Sequence, residues 1–138
     1  MTLPINVPYT NFASKNESIK DELIEAFEKV LDSGKYIQGP EVKSFEIEFA
    51  RFIDTKFSTG IANGTCSLKI TLDALDLPKN SEVITAPNSF IASASSISLA
   101  GLKPVFVDVS EDMNIDVDLL ENAITAKTKA IMPVHLTG

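Results

Sequence analysis

From residue 57 onward, short apolar runs take turns with segments of helical spacing, and nothing else in the sequence restricts the fold as tightly. The spacing predicts strands over 57–62, 82–86, 104–109 and 128–134, and helices over 64–77, over 89–100 and onward from Asp116. Parallel strands need long crossovers, usually helical, so this alternation specifies an α/β fold: a mostly parallel sheet flanked by helices on both faces. Val105-Phe106-Val107 is apolar at successive positions, which predicts that strand 104–109 is buried on both sides. Gly101 is placed to close the second helix. Asp116 is placed to cap the third, with Ile115 and Leu120 spaced as a hydrophobic staple across its start.

The first part of the chain reads differently. Residues 1–17 carry Pro4 and Pro8 and show no sustained period, which predicts an extended arm. Ser18 and Asp21 have the spacing of an N-terminal box, and Ile19, Leu23, Phe27, Val30 and Leu31 share one helical face that ends before Gly34. After a loop over 35–39, Pro40 suits a first helical position, and Val42, Phe45, Phe49, Phe52 and Ile53 form a second stripe, predicted to be core. The expected organisation is therefore an arm and two helices over 1–56, followed by the first part of an α/β domain over 57–138.

Composition narrows the function classes. With 44% hydrophobic and 22% charged residues in a chain of 138, a disordered polypeptide is excluded and a real core is possible. A net charge of −7 leaves no basic footprint for nucleic acid or an anionic membrane. No apolar run approaches the ~18 residues of a membrane span, and no signal pattern opens the chain, so a cytoplasmic protein is expected. Cys66 and His135 are each the single residue of their type, which argues against an internal disulfide and a Cys/His metal cluster. The closing run over 131–138 is apolar where termini usually lie in exposed segments, so a piece of a longer polypeptide is expected. A small complete domain ending in an edge strand is the alternative, and the edge at 128–134 predicts that the isolated chain associates.

In open α/β sheets, ligands gather where strand ends feed helix starts. Ile61-Ala62-Asn63-Gly64-Thr65-Cys66-Ser67 has that character: a strand end, a glycine that admits close backbone approach, and a helix start with two hydroxyls. It reads either as an ordinary capped helix or as an anion cradle of free N–H groups at a helix N-terminus. It is neither a Walker loop nor the dinucleotide fingerprint. Phe90, after the next strand, is either core or a face on which a planar ligand stacks, and the Ala- and Ser-rich helix behind it can pack close to the sheet. His135 and Asp108, at strand ends, read as structural hydrogen-bonding residues. Cys66 has no histidine near it in sequence and is not expected to be a nucleophile.

Taken in order, these stretches resemble the DegT/DnrJ/EryC1/StrS family of sugar aminotransferases over nearly the whole chain. The resemblance runs through Ser33-Gly34-Lys35-Tyr36-Ile37-Gln38-Gly39-Pro40-Glu41-Val42, Phe45-Glu46-Ile47-Glu48-Phe49-Ala50 and Ala62-Asn63-Gly64-Thr65. It continues through Glu82-Val83-Ile84-Thr85-Ala86-Pro87-Asn88-Ser89-Phe90, Pro104-Val105-Phe106-Val107-Asp108-Val109, Asn114-Ile115-Asp116 and the stretch 125–136, with Pro133-Val134-His135-Leu136 at its end. It implies the large domain of a fold-type-I transferase, working as a homodimer. It also implies that Gly64, Thr65 and Cys66 hold the phosphate of pyridoxal 5′-phosphate and that Phe90 lies over the cofactor ring. Tyr36 and Asn88 are then substrate-side candidates. The family usually has Thr-Ala or Thr-Asp at Thr65-Cys66, a difference without consequence if residue 66 binds through its N–H. Asn63 is often serine there, which leaves it outside the expected site.

The activity implied is amino transfer, from L-glutamate, to the C3 or C4 ketone of a nucleotide-linked deoxy sugar bound for surface polysaccharide. The family's cofactor-binding lysine and its ring-nitrogen aspartate lie after the Pro-Val-His-Leu strand, so no catalytic residue is expected in this segment, and by itself it is expected to be inactive. Members with histidine in place of that lysine dehydrate the sugar at C3, which makes a 3-dehydratase one rival reading. A truncated pseudoenzyme or non-catalytic binding piece is the other.

Overall fold

A computed structural model describes residues 7–136 of the chain, which divides in sequence into two compact units between Gly60 and Ile61. The first unit carries α1 (Phe12–Glu17), α2 (Lys20–Ser33) and α3 (Pro40–Phe52). The expected arm is thus helical over its last turn and a half, because the Asn11 side chain accepts the Ser14 N–H at 3.2 Å and caps α1. Pro4 lies outside the described residues. Ser18 does not open the next helix. It closes α1, and α2 starts behind Ile19 with no side-chain cap.

Other boundary signals hold. Gly34 ends α2 at φ 64°, the left-handed region where glycine meets no side-chain penalty. Pro40 takes the first position of α3. Gly39 before it is needed for space, since a Cβ there would stand 2.7 Å from the Lys35 carbonyl oxygen. The aromatic stripe of α3 is not the core the spacing predicts. Within α3 only Ala50 is buried, and Phe45 and Phe49 stack on one another with ring centroids 5.4 Å apart while remaining exposed. Residues 57–62 form no strand: Gly60 N–H donates to Glu46 Oε1 at 2.7 Å, a side-chain partner in place of a neighbouring strand.

The second unit runs α4 (Gly64–Ala74), β1 (Glu82–Thr85), α5 (Ala92–Leu99), β2 (Lys103–Phe106), α6 (Val117–Ala123) and β3 (Thr128–Met132). Its strands are parallel in the order β2-β1-β3, with Ile84 opposite Val105 on one side and Ile131 on the other. The α/β alternation therefore produces the parallel sheet expected of it.

Burial within the sheet follows position in that order. All of β1 is buried because it has a strand on each side. Successive side chains point to opposite faces, so Val83 joins Leu72, Ile97 and Leu102 beneath α4 and α5, while Ile84 joins Ala86, Val107 and Ile115 beneath α6. Thr85 is wholly buried, and its hydroxyl donates to the Met132 carbonyl at 2.9 Å. Strand β2, expected to be buried on both faces, is an outer strand, and Phe106 stays 53% exposed.

Helix ends shift for local reasons. Helix α4 stops at Ala74, three residues early, where the turn brings Asp76 to φ 47°. Helix α5 begins at Ala92 and not at Ser89; its buried face is small (Ala92, Ser93, Ser96 and Ile97), and it packs against α4 and the sheet. Asp116 caps α6 by accepting the Asp118 N–H at 2.9 Å, with Ile115 and Leu120 packed in one cluster as the staple requires. Strand β3 ends at Met132, before Pro133.

At the amino end of the sheet, buried Glu82 accepts the Thr125 hydroxyl at 2.6 Å and the Lys103 ammonium at 3.3 Å. The Thr125 hydrogen bond holds its carboxyl below the usual range, against the opposing effect of burial and with further help from Lys103. No helix among the described residues is long and apolar enough to cross a membrane.

Candidate functional site

Chain direction brings several segments to the carboxyl end of the sheet. Helix α4 runs down into the turn that feeds the start of β1, so its own N-terminus lies at the opposite end, where β1 finishes. The loop over 86–91 leaves that same end and leads into α5, which packs on α4. The segment over 107–116 leaves it after β2, and Pro133 to His135 leave it after β3.

The start of α4 is built by Asn63. Its backbone is extended at φ −167°, its side chain accepts the Cys66 N–H at 2.9 Å, and its carbonyl accepts the Ser67 N–H at 3.0 Å. The N–H groups of Gly64 and Thr65 then donate to nothing among the described residues. A Cβ built on Gly64 would meet no atom within 4 Å, and its φ is not left-handed, so neither packing nor backbone strain in this chain requires glycine there. Two free amides at a helix N-terminus, under open space and beside the Thr65 hydroxyl, suit an anion. Cys66 is exposed, and its N–H is already engaged by the cap. Asn63, outside the expected site, is thus the residue that shapes it; the Asn before a helix start was its legible signal.

Phe90 resolves one of the open readings. It is not core, being 74% exposed in the loop ahead of α5, where its carbonyl accepts the Ser93 N–H at 3.2 Å. A large apolar face left in water is available for stacking. Ser89 behind it shares a 2.9 Å hydrogen bond with Ser93. Asn88 points its amide elsewhere, donating from Nδ2 to the Met113 carbonyl at 2.9 Å.

That carbonyl belongs to a tightly bonded turn over 108–116. Asp112 accepts the Ser110 hydroxyl at 2.6 Å and both the backbone and side-chain N–H of Asn114 at 3.0 Å. These bonds, the Ser110 hydroxyl first, hold the Asp112 carboxyl down at about 2. Met113 sits at φ 68°, and an antiparallel bridge joins Val109 to Ile115. Asn114 Oδ1 is shielded from solvent with no partner among the described residues. Beside the turn, a cleft of about 390 Å³ is lined by Ser110, Asp112, Asp116 and His135. Sequence reasoning passed over this turn, although Ser-x-Asp-x-Asn is a composition that bonds to its own backbone. Asp108 behaves as its strand-end position suggests, accepting the Val109 N–H at 2.8 Å.

Tyr36 belongs to the first unit. Its hydroxyl donates to the Leu31 carbonyl at 3.1 Å, and its ring is exposed in the loop between α2 and α3. Gly64, Thr65 and Cys66 are therefore contiguous, Phe90 and Asn88 share their end of the sheet by chain direction, and Tyr36 stands in another unit.

Known proteins match the chain over most of its length. A sequence model of the DegT/DnrJ/EryC1/StrS aminotransferase family matches residues 17–138. A UDP-2-acetamido-2-deoxy-3-oxo-D-glucuronate aminotransferase of Pseudomonas aeruginosa is 40% identical over 96% of the chain and 37% of its own length. The crystal structure of S. venezuelae DesV in complex with a ketimine intermediate superposes with a TM-score of 0.90 at 38% identity, over 96% of the chain and 36% of DesV. An E. coli GDP-4-keto-6-deoxy-D-mannose-3-dehydratase with bound hydrated PLP superposes with a TM-score of 0.78 at 31% identity, over 83% of the chain and 31% of the dehydratase. The chain spans a little over a third of the length of the first two and a little under a third of the last.

Proposed function

The chain belongs to the DegT/DnrJ/EryC1/StrS aminotransferase family, and from that premise we propose that the whole protein transfers an amino group to a keto group of a nucleotide-linked deoxy sugar, with pyridoxal 5′-phosphate as cofactor. The donor in this reading is L-glutamate, the product an amino sugar for surface polysaccharide, and the working form a homodimer. One observation carries it: two free amides under open space at Gly64 and Thr65, at the same sheet end as an exposed aromatic at Phe90.

The residues present fit the cofactor. Its phosphate suits the N–H groups of Gly64 and Thr65 and the Thr65 hydroxyl, within the positive end of the α4 dipole. Cys66 borders this cradle and, with its N–H held by Asn63, contributes to the shape of the turn. Phe90 offers a face to the flat ring. Bound there, pyridoxal phosphate supplies the electron sink that amino transfer requires. The part of this segment is to bind and orient; no side chain in it is proposed as a catalytic group, and residues 1–138 alone are proposed not to transaminate. Tyr36, exposed on its loop in the first unit, is proposed as a substrate-side residue. The wider and closer match to DesV favours amino transfer over dehydration at C3.

The test is an absorption spectrum and an assay on the full-length protein. Expected are a visible cofactor band abolished by borohydride, and glutamate-dependent amination of a dTDP-, UDP- or GDP-linked keto sugar. A full-length protein with no such band would overturn the reading. Loss of the sugar's C3 hydroxyl without amination would replace it with the dehydratase.

A further inference from the structure

We propose that Asn88 is a positioning residue: the hydrogen bond from its amide to the Met113 carbonyl pins the loop over 86–91 to the 108–116 turn and so holds Phe90 in place at the carboxyl end of the sheet before any ligand arrives. The inference rests on the reading of Phe90 as the surface against which the cofactor ring stacks.

Three observations support it. The loop over 86–91 has no regular structure, and its other side-chain bonds, from Ser89 to Ser93 and to the Phe90 carbonyl, stay within the loop and the helix that follows. Asn88 reaches a partner 25 residues away.

The acceptor is itself fixed. Met113 N–H donates to the Ser110 carbonyl at 2.9 Å, Asp112 gathers Ser110 and Asn114 around it, and Ile115 anchors the far side of the turn in the core. A continuous path of bonds and packing therefore runs from the core to the residue two before Phe90.

The Phe90 carbonyl is tied to α5 by the Ser93 N–H, but its side chain has little to hold it. The ring is mostly in solvent, so packing cannot restrict it, and an aromatic face that wanders must be ordered again whenever a ligand stacks on it. Ordering the loop in advance removes part of that cost, which is how preorganisation raises affinity. The bond uses one of the two amide N–H groups of Asn88 and leaves the other, with Oδ1, unengaged among the described residues.

The experiment uses the full-length protein and the variants Asn88→Ala and Asn88→Leu, the second close in shape and uncharged but lacking the donor. Losing one net hydrogen bond's worth of preorganisation predicts roughly three- to tenfold weaker pyridoxal phosphate binding in both variants. The dichroism of the bound cofactor falls with it. Inorganic phosphate, which probes the α4 cradle alone, binds unchanged, and KM for the sugar nucleotide at saturating cofactor stays at the wild-type value. In cofactor-free protein, amide exchange at 89–91 quickens. Wild-type cofactor affinity and dichroism together with a raised sugar KM would overturn the proposal and make Asn88 a substrate contact. Loss of phosphate binding along with a lowered Tm would overturn it in favour of general destabilisation. A wild-type protein that binds no cofactor would overturn the functional reading itself, a result these variants cannot mimic.

Discussion

Replacing Gly64 with alanine should separate folding from ligand binding, because the structure gives the glycine no structural duty. Gly64 is the first residue of α4, its φ is not left-handed, and a Cβ there would find nothing within 4 Å. Alanine therefore introduces no clash, and it removes backbone freedom that costs up to about 1 kcal/mol in a helix interior and less at the first position. Cofactor-free Gly64→Ala should be as stable as wild type, or more stable by a few tenths of a kcal/mol. The new methyl, however, enters open space on the residue that presents one of the two free amides. If it pushes a phosphate off one of them, the loss is that of a hydrogen bond to a charged group, about 1.5–3 kcal/mol. That corresponds to roughly 10- to 150-fold weaker binding of pyridoxal phosphate. Urea denaturation of the cofactor-free protein reads the first quantity, and fluorescence titration with the cofactor reads the second. A variant destabilised by more than 1 kcal/mol would show that the glycine serves the fold. Unchanged cofactor affinity would show that the space above Gly64 is not where the phosphate goes.

Two further expectations concern the frame around the site. Ile97 is wholly buried between Leu72, Val83 and Leu102, so Ile97→Ala should cost about 2–5 kcal/mol in chemical denaturation, and a loss below 1 kcal/mol would mean that this cluster is not the working core. Asp112, its carboxyl lowered from 3.8 to about 2 by hydrogen bonds from Ser110 and Asn114, should titrate near that value by carbon-detected NMR. Because the folded value is the depressed one, its stabilising effect on the turn is complete above about pH 4 and disappears as pH falls through about 2; a midpoint near 3.8 would refute the bonding described.

What the sequence by itself determined is what short-range physics decides. Gly34 ends a helix and Pro40 begins one because backbone angles and a missing N–H act within a single turn of chain. Asp116, Ile115 and Leu120 cap and staple α6 across five residues. The alternation after residue 57 required a parallel sheet, since crossovers of that length permit little else. The Gly64 turn was legible for the same reason, as a helix start needs no distant partner to present its amides.

Tertiary structure decided whatever depends on a neighbour remote in sequence. The run over 57–62 has the composition of a strand, but Glu46 takes the Gly60 N–H and no strand among the described residues pairs with it. Val105-Phe106-Val107 looked doubly buried, yet the order β2-β1-β3 gives that burial to β1. The phenylalanines of α3 have the spacing of a core and lie exposed among the described residues, because periodicity shows which side chains share a face and not what covers them. Asn88 and Met113 meet across 25 residues through a contact that no local pattern encodes. Capping and periodicity are properties of adjacent residues, whereas burial and long-range hydrogen bonds exist only once the chain has folded back on itself.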